Sequence, residues 1–188
     1  MLNHLEEFSK YVEITGYRKV KIKDAKELLN AVRGEAALDA EVQFFDADLV
    51  ASWQHLYFAV LNALMVLRSG RNISKSLAVE VMLYASAQRQ IKKAIELIGV
   101  KGCSKNVAVI ILSANADSVK TGVRAVTKCL NLEPDESVLE LSKEKTQRIK
   151  CAFGISDVEL ETVTAKKDAE QALIDSVIER VALLSTKL

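Results

Sequence analysis

A run of apolar residues in the second half of the chain limits the fold more than any other feature. Residues 107–112 read Val-Ala-Val-Ile-Ile-Leu, with polar Asn106 and Ser113 on either side. Because the run is rich in β-branched residues and no polar residue alternates within it, both faces of such a strand must be covered. The segment Asn106–Ser113 therefore predicts an interior strand that needs helices packed against its sheet.

The remaining segments show strand or helix patterns on either side of this run. Alternating apolar residues predict a strand or a hairpin over Tyr11–Ile22, around Gly16, and a short buried strand over Val42–Phe45. Residues 158–163 fit a strand or a helical turn equally well. Apolar residues at helical spacing predict helices over Ala25–Val32, Leu49–Leu67, Lys75–Ile98, Ser118–Leu130, Ser142–Phe153 and Lys166–Ser185.

Capping residues mark several of the predicted helix ends. Asp24, Asp48 and Ser74 have the side chains that cap a helix amino terminus. Gly70 and Gly99 follow the two long middle helices, where glycine commonly ends a helix. These two helices are consecutive, so we expect them to pair as an αα-hairpin.

The pattern as a whole predicts an α/β fold of the α+β kind. We expect a small mixed β-sheet packed against a helical layer, with the central αα-hairpin and a C-terminal amphipathic helix. With 49% hydrophobic and 27% charged residues, the composition is that of a globular protein. The length of 188 residues and the absence of a Gly/Ser linker predict one domain over residues 1–188. The order of the strands cannot be read from the sequence.

Charge, cysteine usage and the amino terminus narrow the possible functions. The net charge of +1 gives no global attraction to nucleic acid or membrane, so any such binding must use a local patch. Cys103, Cys129 and Cys151 are widely spaced and predict reduced, mostly structural thiols. No signal peptide is visible, and the apolar tract Leu56–Leu67 is shorter than the ~20 residues that span a bilayer. We therefore expect a cytoplasmic protein with no membrane partner.

The sequence contains no recognisable catalytic set. His4 lies in an amino-terminal segment that we expect to fray, and His55 lies in an apolar helix, where a hydrogen-bonded core histidine is the common case. Glu80 stands one helical turn from Tyr84, whose hydroxyl it could accept from, and we interpret Glu80 as a buried anchor. We expect no enzyme activity, cofactor, metal or small-molecule substrate; an enzyme that uses Glu80 and Tyr84 is the least favoured alternative.

The segment 71–93 concentrates positive charge. It contains five cations, two of which, Arg71 and Lys75, flank the predicted amino terminus of a helix. Free backbone N–H groups and the helix dipole favour a phosphate there. The far end of the segment adds amide and cationic side chains suited to base edges or phosphates, with Ile91 as an apolar surface. A solvated helix face is the plainer interpretation of the same residues.

Several runs of this chain resemble one known family. Residues 42–51 read VQFFDADLVA and are followed by His55; residues 72–86 read NISKSLAVEVMLYAS, and residues 89–91 read RQI. The similarity continues in order through Ala94-Ile95, Gly99-Val100, Val109-Ile110, Phe153-Gly154-Ile155 and ERVALL at 179–184. These runs resemble the kinase-binding subunit of the KEOPS complex, the PRPK-binding protein of eukaryotes, in its archaeal form.

The resemblance implies a non-enzymatic subunit of the complex that makes threonylcarbamoyladenosine in tRNA. Members bind and stimulate a small atypical kinase-like ATPase, and archaeal members capture the single-stranded 3′ CCA end of tRNA. Carried over to this chain, the implied RNA-binding residues are Arg71, Asn72, Ser74, Lys75, Gln88, Arg89, Gln90 and Lys93. The candidate kinase interface on the last helix comprises Val177, Val181, Leu183 and Leu184, for which core packing is the alternative. A protein-binding adaptor of the kinase without RNA binding is the alternative function.

Overall fold

A computed structural model describes residues 2–36, 39–164 and 168–186. The chain divides into two compact units, each built from two stretches of sequence. Unit 1 comprises residues 1–47 and 99–138, and unit 2 comprises residues 48–98 and 139–188. The prediction of one domain remains a prediction, and the units are described separately.

The described residues form four strands and eight helices, several of which are joined by short 3-10 turns. In chain order they are β1 (Leu2–Leu5), β2 (Lys10–Arg18), α1 (Ala25–Ala36), β3 (Glu41–Asp46), α2 (Trp53–Arg68), α3 (Leu77–Ala85), α4 (Ile91–Ile98), β4 (Asn106–Ser113), α5 (Ala116–Leu130), α6 (Lys143–Phe153), α7 (Asp157–Thr164) and α8 (Ala169–Leu183). The predicted α+β class is confirmed.

Unit 1 is a four-stranded sheet with α1 and α5 packed on it. The strand order is β1-β2-β4-β3, and all three pairings are antiparallel, so the expectation of a mixed sheet is wrong. Strand β4 lies between β2 and β3, and Val107 to Leu112 are all buried, so the interior strand is confirmed. Alternate residues of the strands, such as Val109 and Phe44, form a core cluster with Val32 and Val126 of the two helices.

Glycine at position 16 serves close packing and does not form the turn of a hairpin. Gly16 lies within β2, opposite Ala108 of β4, so the hairpin interpretation of Tyr11–Ile22 is wrong. The backbone N–H of Asp135 donates to the Gly16 carbonyl at 2.7 Å. A Cβ at position 16 would overlap the side chain of Val138 and lie 2.9 Å from the Asp135 carbonyl oxygen. The missing side chain therefore lets the segment 135–138 cross the strand closely.

The amino terminus is an edge strand of unit 1, which corrects the expectation that it frays. Strand β1 pairs antiparallel with β2, with Leu2 opposite Glu13 and Leu5 opposite Lys10. The ring of His4 stacks on that of Tyr11, with 4.3 Å between centroids. Pairing with β2 therefore orders this segment, although the four residues of β1 are too few to predict a strand from their sequence.

Unit 2 is helical. Helices α3 and α8 pack on α2, α4 packs on α3, and α6 and α7 pack on α8. One core cluster joins Ala51 to Ile149, Ile155, Leu173 and Val177. No helix among the described residues has both the length and the apolar character needed to cross a membrane.

Three helix predictions in unit 2 need correction. Asp48 falls in a 3-10 turn, Ala47–Leu49, and the Ser52 side chain caps α2 by accepting from the His55 N–H. The predicted helix Lys75–Ile98 is two helices, α3 and α4, and Ser76 caps α3 in place of Ser74. Residues 158–163, left open above, belong to a helix. The predicted start of the last helix at Lys166 lies outside the described residues.

The three cysteines are free. Cys103 and Cys151 are exposed and Cys129 is half-buried. A structural role in a core, expected for most of them, therefore does not fit Cys103 and Cys151.

Candidate functional site

The loop between α2 and α3 carries the first half of the predicted RNA-binding residues. Gly70, at φ 68°, ends α2, and the Arg71 N–H returns to the Val66 carbonyl at 3.0 Å. Within the loop, the Asn72 side-chain amide donates to the Ser74 carbonyl at 2.9 Å. These bonds hold the backbone, so the side chains of Arg71 and Lys75 extend from a fixed loop.

A buried carboxylate anchors this loop. Glu80, on the first turn of α3, is 1% exposed. Its Oε2 accepts from the Ser74 N–H at 2.7 Å and from the Ile73 N–H at 3.1 Å. The anchor role expected of Glu80 is correct, but its partners are backbone N–H groups and not the Tyr84 hydroxyl. A carboxylate held in this way is occupied by structural bonds.

Hydrogen bonds within the protein occupy part of the amino terminus of α3. The Ser76 hydroxyl accepts from the Val79 N–H, and the Ser76 carbonyl accepts from the Glu80 N–H. The Glu80 carboxylate takes the two loop N–H groups and adds a negative charge near this helix end. The N–H groups of Leu77 and Ala78 take no part in these bonds, so phosphate binding at this helix end stays a prediction, to which the cationic side chains would add attraction.

The break between α3 and α4 carries Gln88, Arg89 and Gln90 of the predicted residues, and Lys93 follows on the first turn of α4. Ala87 adopts a left-handed conformation, at φ 51°. The Ala87 N–H donates to the Tyr84 carbonyl at 2.9 Å, and the Gln88 N–H donates to the Leu83 carbonyl at 3.0 Å. This is a Schellman ending of α3, made without the usual glycine. It turns the chain so that Arg89 and Gln90 are exposed.

His55 holds the carboxyl end of α3 from within the core of unit 2. Its Nδ1 accepts from the Ala51 N–H at 3.2 Å, so Nε2 carries the proton and donates to the Ala85 carbonyl at 2.7 Å. Burial lowers the His55 pKa to about 4, and the charge of Lys145 acts in the same direction, while the bond to Ala85 opposes them. His55 is therefore a neutral structural residue, as the sequence favoured.

All eight predicted RNA-binding side chains reach solvent. Five are exposed and three are half-buried; the exposed set is Arg71, Lys75, Arg89, Gln90 and Lys93, and the half-buried set is Asn72, Ser74 and Gln88. They form two groups, one before α3 and one after it, instead of a stripe along one long helix.

The phenol of Tyr84 lies within the electrostatic reach of both groups. Burial raises the Tyr84 pKa, with the Glu80 charge acting in the same direction, whereas the charges of Arg89 and Arg71 lower it. Both guanidinium groups therefore act on one phenol, although 17 residues separate them between positions 71 and 89.

Exposed isoleucines lie among these cations. Ile73, in the first loop, is 40% exposed, and Ile91 and Ile95 of α4 are 43% and 51% exposed. Of these, only Ile91 was predicted from the sequence to offer an apolar surface. Ile73 lies within residues 72–86, one of the runs that resemble the known family. That resemblance was the one feature of the sequence that could have indicated Ile73.

The four candidate kinase-interface residues divide by burial. Val177 and Val181 are fully buried, Leu184 is 1% exposed, and Leu183 is 42% exposed. Core packing therefore accounts for the first three side chains as the structure stands. A kinase-interface role for these four residues stays a prediction. Leu183 is the one of the four whose side chain is exposed.

Three exposed apolar side chains on α2 went unnoticed in the sequence. Trp53, Phe58 and Met65 are 47%, 40% and 53% exposed, and the rings of Trp53 and Phe58 both make edge contacts with Tyr57. The sequence of α2 is apolar on nearly all faces, which predicts burial. Its exposed side is therefore visible only once the packing of α3 and α8 is known.

Comparison with known proteins gives two matches. The family model described as "Kinase binding protein CGI-121" matches residues 17–185. "Regulatory protein Cgi121" of the archaeon Methanocaldococcus jannaschii is 30% identical over 150 residues, which cover 80% of this chain and 87% of the relative. The family match includes the loop before α3, the break after it and α8.

Proposed function

Because this chain belongs to the CGI-121 family of kinase-binding proteins, we propose that it is the KEOPS subunit that stimulates the small atypical kinase and recruits tRNA by its 3′ CCA end. As a member of this family it is a regulatory, kinase-binding protein and not an enzyme. The threonylcarbamoyladenosine chemistry then belongs to other subunits, and the protein works in the cytoplasm with tRNA.

The observation that carries the RNA half is the pairing of fixed cations with exposed apolar side chains around α3. Arg71 and Lys75 supply charge for phosphates at one end of the helix, and Arg89 and Lys93 supply it beyond the other. Ile73 and Ile91 offer apolar surface on which unpaired bases rest. A single-stranded end fits such a surface better than a duplex does, because its bases are not hidden in pairs.

The kinase half is supported by exposed apolar surface elsewhere in unit 2. Trp53, Phe58 and Met65 of α2, together with Leu183 of α8, expose large apolar side chains. Aromatic residues and methionine are enriched in protein interfaces, and tryptophan is among the residues that most often dominate the binding energy. We assign these residues to the kinase and the cationic loops to tRNA.

Binding of intact and trimmed tRNA tests the RNA half. The chain alone should bind intact tRNA with strong salt dependence, and enzymatic removal of CCA should remove most of the affinity. The control is trimmed tRNA to which CCA has been restored, which should bind like the intact molecule. Equal affinity for intact and trimmed tRNA would overturn CCA recognition. If the protein bound the kinase but did not bind tRNA at all, it would instead be a protein-binding adaptor of the kinase without RNA binding.

A further inference from the structure

We propose that unit 1 carries a second RNA-binding surface, a lysine strip that contacts the phosphodiester backbone of duplex RNA. The strip comprises Lys19, Lys21, Lys23, Lys101 and Lys105. It extends the proposed function, because it binds a part of the same tRNA other than the single-stranded end.

Alternating burial places the first three lysines on one side of the chain. Lys19, Lys21 and Lys23 are exposed, whereas Val20 and Ile22 between them are 6% and 7% exposed and belong to the core of unit 1. Lys19 adopts a left-handed conformation, at φ 57°, and the alternation of exposed and buried side chains continues from it to Lys23. The buried residues fix the segment, so the ammonium groups form a row.

The loop before β4 adds two lysines to this row. The Val20 N–H donates to the Lys105 carbonyl at 2.8 Å, and the Lys19 N–H donates to the Asn106 side chain at 3.4 Å. At the other end, a Cβ on Gly102 would lie 3.8 Å from the Lys23 carbonyl. Lys101 and Lys105, both exposed, therefore lie beside the first three lysines.

An open groove of about 650 Å³ runs along the strip. The three lysines at 19, 21 and 23 line it together with two carboxylates, Asp24 and Glu27. Asp24 is occupied as the cap of α1, accepting from the Lys26 N–H at 2.6 Å. Three lysines against these two carboxylates leave one net positive charge in the groove lining, and Lys101 and Lys105, which do not line the groove, add two more beside it, on a chain whose net charge is +1. The positive charge is therefore concentrated here.

The chemistry of the strip fits a phosphate backbone and not base recognition. No carboxylate among the described residues is within ion-pair distance of the five ammonium groups, so they are available to an outside anion. The strip has no exposed aromatic ring for stacking, and lysines in a row bind phosphates without reading sequence. A regular duplex presents such phosphates at fixed spacing.

The test measures salt dependence of tRNA binding for Lys21→Ala/Lys105→Ala. Its matched control, Lys120→Ala/Arg124→Ala, removes two exposed charges from α5 of the same unit. The RNA probes are intact tRNA, CCA-trimmed tRNA and a short single strand ending in CCA. Thermal melting confirms that both variants fold.

The strip variant should weaken both tRNAs and leave the short strand unaffected. Each phosphate contact contributes about 0.9 to the slope of log K against log salt concentration. The strip variant loses two contacts, so the affinity that it loses between 50 and 200 mM salt should be roughly tenfold smaller than the loss in the unmodified protein. A slope equal to that of the control overturns the proposal, as does equal weakening of the short strand. Equal binding of intact and trimmed tRNA by the unmodified protein would overturn CCA recognition alone. If the unmodified protein bound no tRNA, both CCA recognition and the lysine strip would be overturned.

Discussion

The carboxylate of Glu80 accepts the backbone N–H of Ser74 at 2.7 Å, and this bond determines where the first cationic loop lies. Glu80 is buried and belongs to α3, whereas Ser74 belongs to the loop that carries Arg71 and Lys75. A negative group inside the protein thus positions positive groups on its surface. Stability and RNA binding should therefore both depend on this one carboxylate.

Replacing Glu80 with glutamine should destabilise the protein and weaken tRNA binding together. The Gln oxygen can take the place of Oε2, but a neutral amide accepts more weakly, and its NH₂ group would face the Ile73 N–H that Oε1 accepts at 3.2 Å, so we expect a cost of about 1–3 kcal/mol in the free energy of unfolding. Urea unfolding and a tRNA titration measure the two effects. Glu96→Gln, at an exposed position paired with Lys92, is the control and should change neither by much. Full tRNA affinity in E80Q would contradict the anchor role.

His55 should make stability fall in mild acid. Its folded pKa of about 4 lies below the ordinary value of 6.5, so its contribution is complete above pH 6.5 and is lost as the pH falls toward 4. Between pH 7.5 and pH 5 the protein should lose about 2 kcal/mol of unfolding free energy through this residue. Urea unfolding of the unmodified protein and of His55→Gln at both pH values isolates the effect. Identical pH dependence of the two proteins would show that His55 does not cause it.

Charge reversal at Arg89 should separate the two proposed activities. Arg89→Glu places a negative charge at an exposed position of the RNA surface, so tRNA affinity should fall roughly tenfold or more at moderate salt. Melting temperature and kinase affinity should stay unchanged. The control, Arg124→Glu on α5, makes the same charge change at another exposed position. If R89E also lost kinase binding, the two surfaces would not be distinct.

Polar substitutions on the apolar surface of unit 2 should weaken kinase binding. Trp53→Asp and Leu183→Lys suit their helix ends, since an anion favours the first turn and a cation the last, so both variants should fold. Loss of a buried anchor in an interface commonly costs about 2 kcal/mol or more, which is roughly thirtyfold in affinity. Calorimetric titration with the kinase subunit measures it. The control is Val158→Asp, which changes a side chain that is 73% exposed on α7. Unchanged kinase affinity in both test variants would refute the assignment of Trp53 and Leu183 to the kinase interface.

Two glycines should respond to alanine with opposite signs. Gly16→Ala forces Val138 and Asp135 away from β2, so we expect a loss of roughly 1–3 kcal/mol. Gly34 lies in α1 with no atom within 4 Å of a Cβ position, so Gly34→Ala should gain about 0.5–1 kcal/mol. Denaturant midpoints decide between these outcomes. Little change in G16A would mean that the segment 135–138 yields easily.

The sequence predicts those parts of the fold that local patterns determine. The run of six apolar residues before Ser113 marks β4 as interior, and Ser142 and Gly154 bound α6 as expected. The break after α3 was missed because Ala87 takes a left-handed conformation that an alanine alone does not favour. The bond from His55 to the Ala85 carbonyl joins residues 30 positions apart, so no local pattern contains it.

The candidate site was predictable in its residues but not in its arrangement. Charge and resemblance selected Arg71 and Arg89, which are exposed. One continuous helix would have placed Arg71 just before its start and Arg89 on its flank, whereas the structure has two helices, with Arg71 in the loop before α3 and Arg89 at the break after it. Glu80 accepts the N–H groups of Ile73 and Ser74 in the loop before α3, a contact that the helical pattern of the sequence did not contain.

The two units interleave along the chain, and this limits how the protein is made and dissected. Residues 1–47 need residues 99–138 to complete their sheet, and residues 48–98 need the segment that follows position 138. During synthesis the ribosome must therefore pass position 138 before the β-sheet unit can close, and the helical unit finishes later still. No single continuous fragment contains one unit without also carrying half of the other, so shortened versions of the protein should be prone to misfolding and proteolysis.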